Sequence, residues 1–192
     1  MSPKTASYVP PTPKGLLVIE SWEKLPSLEL YVDQVLTLCN EQFATLRNPE
    51  ERLISPSMVN NYVKQGLLSA PIKKRYRREQ ISRLFMIILL KSALCMADIS
   101  QLLEAISALP DMDDAALHHA FRIAVARGWQ RLRQSQLLPQ AWAEELELER
   151  EEALPTLPNE APLLALEAAV TASLLQLTAK KQLQFCTKKA DH

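Results

Sequence analysis

The stretch SPSMVNNYVKQGLL, from Ser55 to Leu68, is followed after four residues by KKRYRR, from Lys73 to Arg78, and then by the apolar run Leu84 to Leu90. Ser55 is a strong helix start: its hydroxyl can accept from a free amide of the first turn, and Pro56 sits where a missing N–H costs nothing. Gly66 closes the helix as a residue free to take positive φ. A helix from Pro56 to Lys64 is too short to persist alone, and Leu67 and Leu68 just beyond it supply the packing it needs. Asn60, Asn61 and Lys64 then occupy its polar side. Asparagine is a poor helix former, but its amide can pair bidentately with an adenine edge in the major groove. A merely solvated polar face is the plain alternative for the helix taken alone.

Working outward, residues 70–76 read as a loop or short β-wing, with Lys73, Lys74, Arg75, Arg77 and Arg78 placed to reach phosphates flanking a groove and Tyr76 packing or hydrogen-bonding among them. A helix follows from about Arg78 to Ala93 with Ile81, Leu84, Phe85, Ile88 and Leu89 on its apolar stripe. The next runs from Met96 to Leu109 and stops at Pro110; a long one covers Asp111 to Gln134, with Asp113 and Asp114 near its positive end. Gln140 to Leu154 reads as an acidic helix around Trp142. The last helix, Leu163 to Phe185, carries Leu163, Leu166, Val170, Leu174 and Leu177 as a short heptad-like seam. Upstream, Ser27 looks like an N-cap for a helix from Leu28 to about Leu46. Residues 1–27, with five prolines, read as a largely extended arm.

Only three of 192 residues are glycine, apolar residues make up 47 %, and Leu, Ala, Gln, Glu and Arg outweigh β-branched and aromatic residues. That bias predicts an all-α protein with at most a short β-wing. The domain organisation expected is the arm 1–27, a helical DNA-binding domain over 28–109 with its motif at 53–103, and a helical region over 110–192 for dimerisation or an effector. Formal net charge is zero, yet the charges are segregated. Lys64 to Lys91 holds eight cations against Glu79; Glu144 to Glu152 holds six glutamates against Arg150. A polyanion responds to the local field, not to the sum.

Cys39, Cys95 and Cys186 lie far apart with no paired spacing, which reads as buried free thiols in a reducing cytoplasm. His118 and His119 diverge around a helix and cannot easily share a metal. No phosphate-cradling loop, nucleophile elbow or ligand spacing is present, which points away from an enzyme, a metal or a cofactor. No signal-peptide pattern precedes Lys14 and Leu84 to Leu90 is too short to span a bilayer, so a cytoplasmic protein without membrane contact is expected.

Ser55 to Leu103 resembles the winged helix-turn-helix of MerR-type transcription regulators, in the residues Asn60 to Val63, Gly66-Leu67-Leu68, Lys73 to Tyr76, Leu84 to Ile87 and Ile99 to Leu103. Met58 to Leu67 with Ile72 to Tyr76, preceded by Leu30 to Gln34, is similar to the bacterial domain-of-unknown-function family numbered eighteen thirty-six, itself regarded as MerR-like. The resemblance covers about residues 25–105. It departs at Asn60 and Asn61, where MerR-type proteins have arginine and tyrosine, and in a wing without glycine.

The resemblance implies a sequence-specific transcription regulator that binds double-stranded DNA as a homodimer, with the helix after Asp111 or the seam after Leu163 as the dimer contact. The DNA-binding residues expected are Ser57, Asn60, Asn61, Tyr62, Lys64, Lys73, Lys74, Arg75, Tyr76, Arg77 and Arg78, of which only Tyr62 and the cationic wing carry over directly from the resemblance. The rival reading is a protein-interaction module that keeps the helix-turn-helix scaffold without binding DNA. An effector, if there is one, leaves no signature in the sequence.

Overall fold

The structure is a computed structural model, and it describes residues 17–44, 53–138 and 155–190. The acidic stretch 144–152 and the end of the first expected helix lie outside those residues. The described part is built from helices, as the composition predicts: α1 (Val32–Gln42), α2 (Pro56–Lys64), α3 (Arg78–Leu90), α4 (Met96–Ser107), α5 (Asp114–Gln134) and α6 (Ala161–Ala190). Two short strands, β1 (Leu30–Tyr31) and β2 (Arg75–Tyr76), pair antiparallel, Leu30 facing Tyr76 and Tyr31 facing Arg75.

That pairing corrects the expected start of the first helix. Leu30 and Tyr31 give their backbone to β2, so α1 begins at Val32 with Tyr31, not Ser27, as its N-cap. Apolar periodicity alone does not distinguish a strand of two residues from the first half-turn of a helix. The wing region is likewise less free than a surface hairpin, because β1 ties its base to the start of α1.

α2 matches its sequence signals at both ends. Ser55 Oγ accepts from the Met58 amide at 3.3 Å, Pro56 is the first helical residue, and Gly66 has φ +75° just past the C-cap Gln65. The Leu68 amide donates to Tyr62 O at 3.2 Å, completing the glycine-dependent end.

α3 is the core of the molecule. Every residue from Leu84 to Leu90 is buried, and α1, α5 and α6 pack around it. One continuous apolar cluster runs from Leu17 to Leu174, so it crosses the boundary drawn at 109/110. α5 and α6 form the most extensive helix pair. At Gly128 a Cβ would stand 2.9 Å from Leu174 Cδ1, so glycine lets the two helices approach. The seam residues Leu163, Leu166, Val170 and Leu174 are buried within this one chain. Across the same contact Glu167, 3 % exposed, receives Arg127 Nε at 2.8 Å and Arg131 Nη2 at 2.6 Å.

The described end of the N-terminal arm is held down. Four successive carbonyls accept side-chain donors: Leu17 from Trp129 Nε1 (3.1 Å), Val18 from Gln42 Nε2 (2.6 Å), Ile19 from Arg122 Nε (2.9 Å) and Glu20 from His118 Nε2 (2.8 Å). Leu17 and Ile19 turn inward while Val18 turns out, the alternation of an extended chain. A 3-10 turn at Trp22–Lys24 follows, and Leu25 is buried.

Two thiols are described. Cys39 is fully buried and burial pushes its pKa up to about 12, which makes it inert. Cys95 corrects the expectation of burial: it is exposed at the start of α4 and its thiol donates to Asp98 Oδ2 at 3.0 Å. Among the described residues α6 alone is long and apolar enough to cross a membrane, its window Ala161–Lys180 having mean hydropathy 1.4.

Candidate nucleic-acid interface

α2 has two faces set by its packing. Val59 and Tyr62 are buried and anchor the helix on the core, whereas Ser57, Asn60, Asn61 and Lys64 are exposed. Ser57 Oγ lies 2.9 Å from Ser55 Oγ, so it is engaged in the cap. Neither asparagine nor Lys64 has a side-chain partner among the described residues.

The chain then turns at Leu67 and Leu68, both buried, and makes a tight reversal. Ile72 and Arg75 form a bridge, with the Ile72 amide donating to Arg75 O at 3.1 Å and the Arg75 amide donating to Ile72 O at 2.9 Å. The two residues between them, Lys73 (φ 49°) and Lys74 (φ 65°), are both left-handed. Two positive φ values in a two-residue hairpin loop describe a type I′ turn, which favours Asn-Gly. Here it carries lysine twice, and both side chains stand exposed at the tip. The missing wing glycine noted in the sequence is therefore replaced by two strained cations.

The remaining cations are engaged. Arg75 stacks on the Tyr31 ring at 5.0 Å and donates through Nη2 to Tyr31 Oη at 3.2 Å. Arg77 Nε pairs with Glu29 Oε1 at 2.9 Å. Arg78 lies over the Trp22 ring at 5.4 Å, half-buried, with no partner for Nε among the described residues. Further along, Arg83 donates to Ser107 Oγ at 3.3 Å and Lys91 donates to Leu53 O. The cation cluster thus divides into a free set, Lys64, Lys73 and Lys74, and a braced set on β2 and the start of α3.

Two expected contact residues are placed elsewhere. Tyr62 is 4 % and Tyr76 is 3 % exposed, and burial pushes both phenol pKa values up. They face inward because the apolar ring outweighs the hydroxyl where a helix face or a strand side meets the core. Both rings anchor α2 and the wing on the core and do not stand free beside the exposed cations.

The residues that the sequence did not single out are the braces. Gln80 is buried and links three parts of the loop: its Nε2 donates to Ser69 O (2.8 Å) and Ala70 O (3.2 Å), and its Oε1 accepts the Arg77 amide (2.7 Å). Its signal was present, a glutamine at the third position of a helix, where a side chain can reach back to the N-cap amide. Glu29 and Trp22 carried no comparable signal, and Tyr31 stood out only within the Leu30 to Gln34 segment of the family resemblance. Beside α2, Gln65, Leu67, Met96, Ala97, Ser100, Gln101 and Glu104 line an open groove of about 600 Å³.

No group of three or more metal-ligating side chains occurs among the described residues. A family model described as Domain of unknown function (DUF1836) matches residues 20–123, more than half of the chain and all of the elements that build α2 and the wing. Among curated proteins and among solved structures, none matches the chain.

Proposed function

We propose that this chain, which belongs to the DUF1836 family, is a sequence-specific DNA-binding regulator of MerR-like type, acting in the cytoplasm as a homodimer on double-stranded DNA and not as an enzyme. The observation that carries this reading is the two-faced α2: Val59 and Tyr62 fix it, and Asn60, Asn61 and Lys64 project with nothing to satisfy them but an external partner or water. Amide side chains on a rigid short helix suit base edges, and the exposed lysines of the reversal suit the phosphate backbone. The division into free and braced cations refines the expected set of DNA-binding residues. Lys64, Lys73 and Lys74 are the phosphate contacts; Arg75 and Arg77 are committed first to Tyr31 and Glu29.

Gel-shift titrations at several salt concentrations test the reading. Replacing Lys64, Lys73 and Lys74 with alanine is expected to weaken binding to every duplex and to lower the salt slope by about one for each phosphate no longer neutralised. Asn61→Ala is expected to relax sequence choice, at a cost of roughly 1–3 kcal/mol at one base pair. Identical behaviour of the two variants would contradict the assignment.

The rival, a protein-interaction module, is favoured by one observation: Leu28, Tyr31 and Ile72 are 78 %, 50 % and 51 % exposed around the same β1–β2 base. Apolar side chains beside a cationic tip suit an acidic protein surface as well as a groove. No shift of any duplex at low salt would decide for it.

A further inference from the structure

We infer that Glu29 is an internal stand-in for the phosphate of a polyanionic ligand: its carboxylate neutralises Arg77 and so limits, whatever the base sequence, how tightly the molecule grips that ligand. Under the DNA-binding reading, on which this rests, the ligand is a duplex. Three arginines leave β2 and the start of α3, and each is met from the segment 22–31. Arg75 lies 5.0 Å from the centre of the Tyr31 ring and Arg78 5.4 Å from that of Trp22. A ring orients a guanidinium but leaves its charge in place. Arg77 alone of the three is met by an acidic side chain in an ion pair, Nε to Glu29 Oε1 at 2.9 Å.

Strand register builds this contact. β1 and β2 set Leu30 opposite Tyr76 and Tyr31 opposite Arg75, so the next rung of the same antiparallel register is Glu29 opposite Arg77. The Arg77 backbone is still extended there, with φ −98° and ψ 174°, before α3 begins. Side chains alternate across a strand, so the 29/77 rung points to the same side as the 31/75 rung. Leu30 and Tyr76, on the rung between, turn to the core. Ile72 bridges Arg75, and the exposed tip Lys73–Lys74 joins them. The register thus sets a carboxylate among the wing cations, on their exposed side. The Arg77 amide is separately held by Gln80 Oε1 at 2.7 Å, so the guanidinium can change partner without releasing the start of α3.

The fold has little need of the pair. Its side chains are 53 % and 35 % exposed, and an ion pair that open to water contributes little to stability. Backbone pairing holds β1 to β2 and Gln80 caps α3 without it. What the carboxylate changes is the local field. Its oxygen takes the acceptor position that a phosphate oxygen takes on arginine. Each phosphate neutralised by a protein cation steepens the salt dependence of duplex binding by about 0.9, and a guanidinium already neutralised adds none of that. This part of the affinity is blind to sequence, so holding one cation back leaves the base contacts of Asn60 and Asn61 a larger share of the total.

Gel-shift titrations of the full chain over a range of salt concentrations test this. Glu29→Gln is expected to steepen the salt slope by about 0.9 and to bind random and selected duplexes alike more tightly, on the order of fivefold at about 0.1 M salt. In an Arg77→Ala background the same substitution is expected to leave the slope unchanged. Glu41→Gln is the control: it removes an equal charge from an exposed position at the far end of α1, about 15 Å along the helix, beyond the reach of screened charge at that salt. Elution from immobilised heparin, a sulfated polyanion without bases, separates this outcome from that of the DNA-binding reading. Glu29→Gln is expected to elute at higher salt than the wild type, and both Glu41→Gln and Glu29→Gln with Arg77→Ala are expected to elute with the wild type. That order without any duplex shift would remove the DNA-binding reading and leave the restraint on Arg77 standing. Co-elution of Glu29→Gln with the wild type, an equal gain from Glu41→Gln, or the same slope gain without Arg77 would overturn the inference.

Discussion

Lys73 and Lys74 show how much a single dihedral can say. A non-glycine residue in the left-handed region costs about 1–2 kcal/mol, and two adjacent lysines bear that cost at a solvent-exposed turn with no core contact to compensate. Strain of this kind persists where the side chains are needed. Replacing the pair with Asn-Gly is expected to raise stability by about 1 kcal/mol or more, because those residues fit a type I′ turn. The same change is expected to weaken duplex binding. A urea titration and a gel shift on one preparation check both halves, and a variant that gains stability without losing affinity would remove the wing tip from the proposed interface. The sequence displayed the lysines plainly, but it could not display their φ. Nothing in KKRY distinguishes a solvated run from a strained hairpin tip, since the turn is imposed by the Ile72–Arg75 bridge and by the pairing of Arg75 and Tyr76 with β1.

At the scale of elements, α2 and the α5–α6 pair behave oppositely. α2 was legible because its start and stop are local chemistry: a serine hydroxyl, a proline ring and a glycine act within one turn. The α5–α6 pairing was not, because a heptad-like seam looks the same whether it meets a neighbour in its own chain or a second copy. Gly128 and Glu167 settle it in favour of α5, one by removing a Cβ and the other by drawing two arginines across the contact. The ion cluster is asymmetric, and that gives a prediction. Glu167 is 3 % exposed, whereas Arg127 and Arg131 are 27 % and 50 % exposed. Removing both arginines strands a buried carboxylate, so Arg127→Ala with Arg131→Ala is expected to cost on the order of 3–5 kcal/mol. Glu167→Gln leaves two arginines that can turn to water and is expected to cost less. Denaturant midpoints for the two variants in the reverse order would show that the pairing is held by its apolar contacts alone.

The molecule as a whole is closed by the strap 17–25, and His118 is the joint in that closure. Its Nε2 meets the Glu20 carbonyl, which can only accept, so Nε2 carries the proton; Nδ1, 2.8 Å from Ser82 Oγ, then accepts from the hydroxyl. The Trp22 ring lies 5.7 Å away. A neutral imidazole is therefore fully satisfied, and burial holds its pKa below the ordinary 6.5. With the folded value depressed, the unfolded chain binds more protons below 6.5, so stability is complete above that pH and is lost as pH falls through the window beneath it. Thermal unfolding of the wild type is expected to weaken from neutral to mildly acidic pH more steeply than that of His118→Gln. Parallel pH profiles would mean that the imidazole does not report on strap closure.

By itself the sequence determined the helical class, the limits of α2, the glycine at its end and the segregation of cations around residues 64–91. These follow from backbone propensity, from capping within one turn and from the order of charges along the chain. Tertiary structure alone decided that Tyr62 and Tyr76 face the core, that Arg75 and Arg77 answer Tyr31 and Glu29, and that Leu17 to Glu20 are pinned across α5 and α1. Those contacts join residues 24 to 112 positions apart. Only the packing of α3 at the centre brings them within reach, and no local pattern encodes a partner that distant.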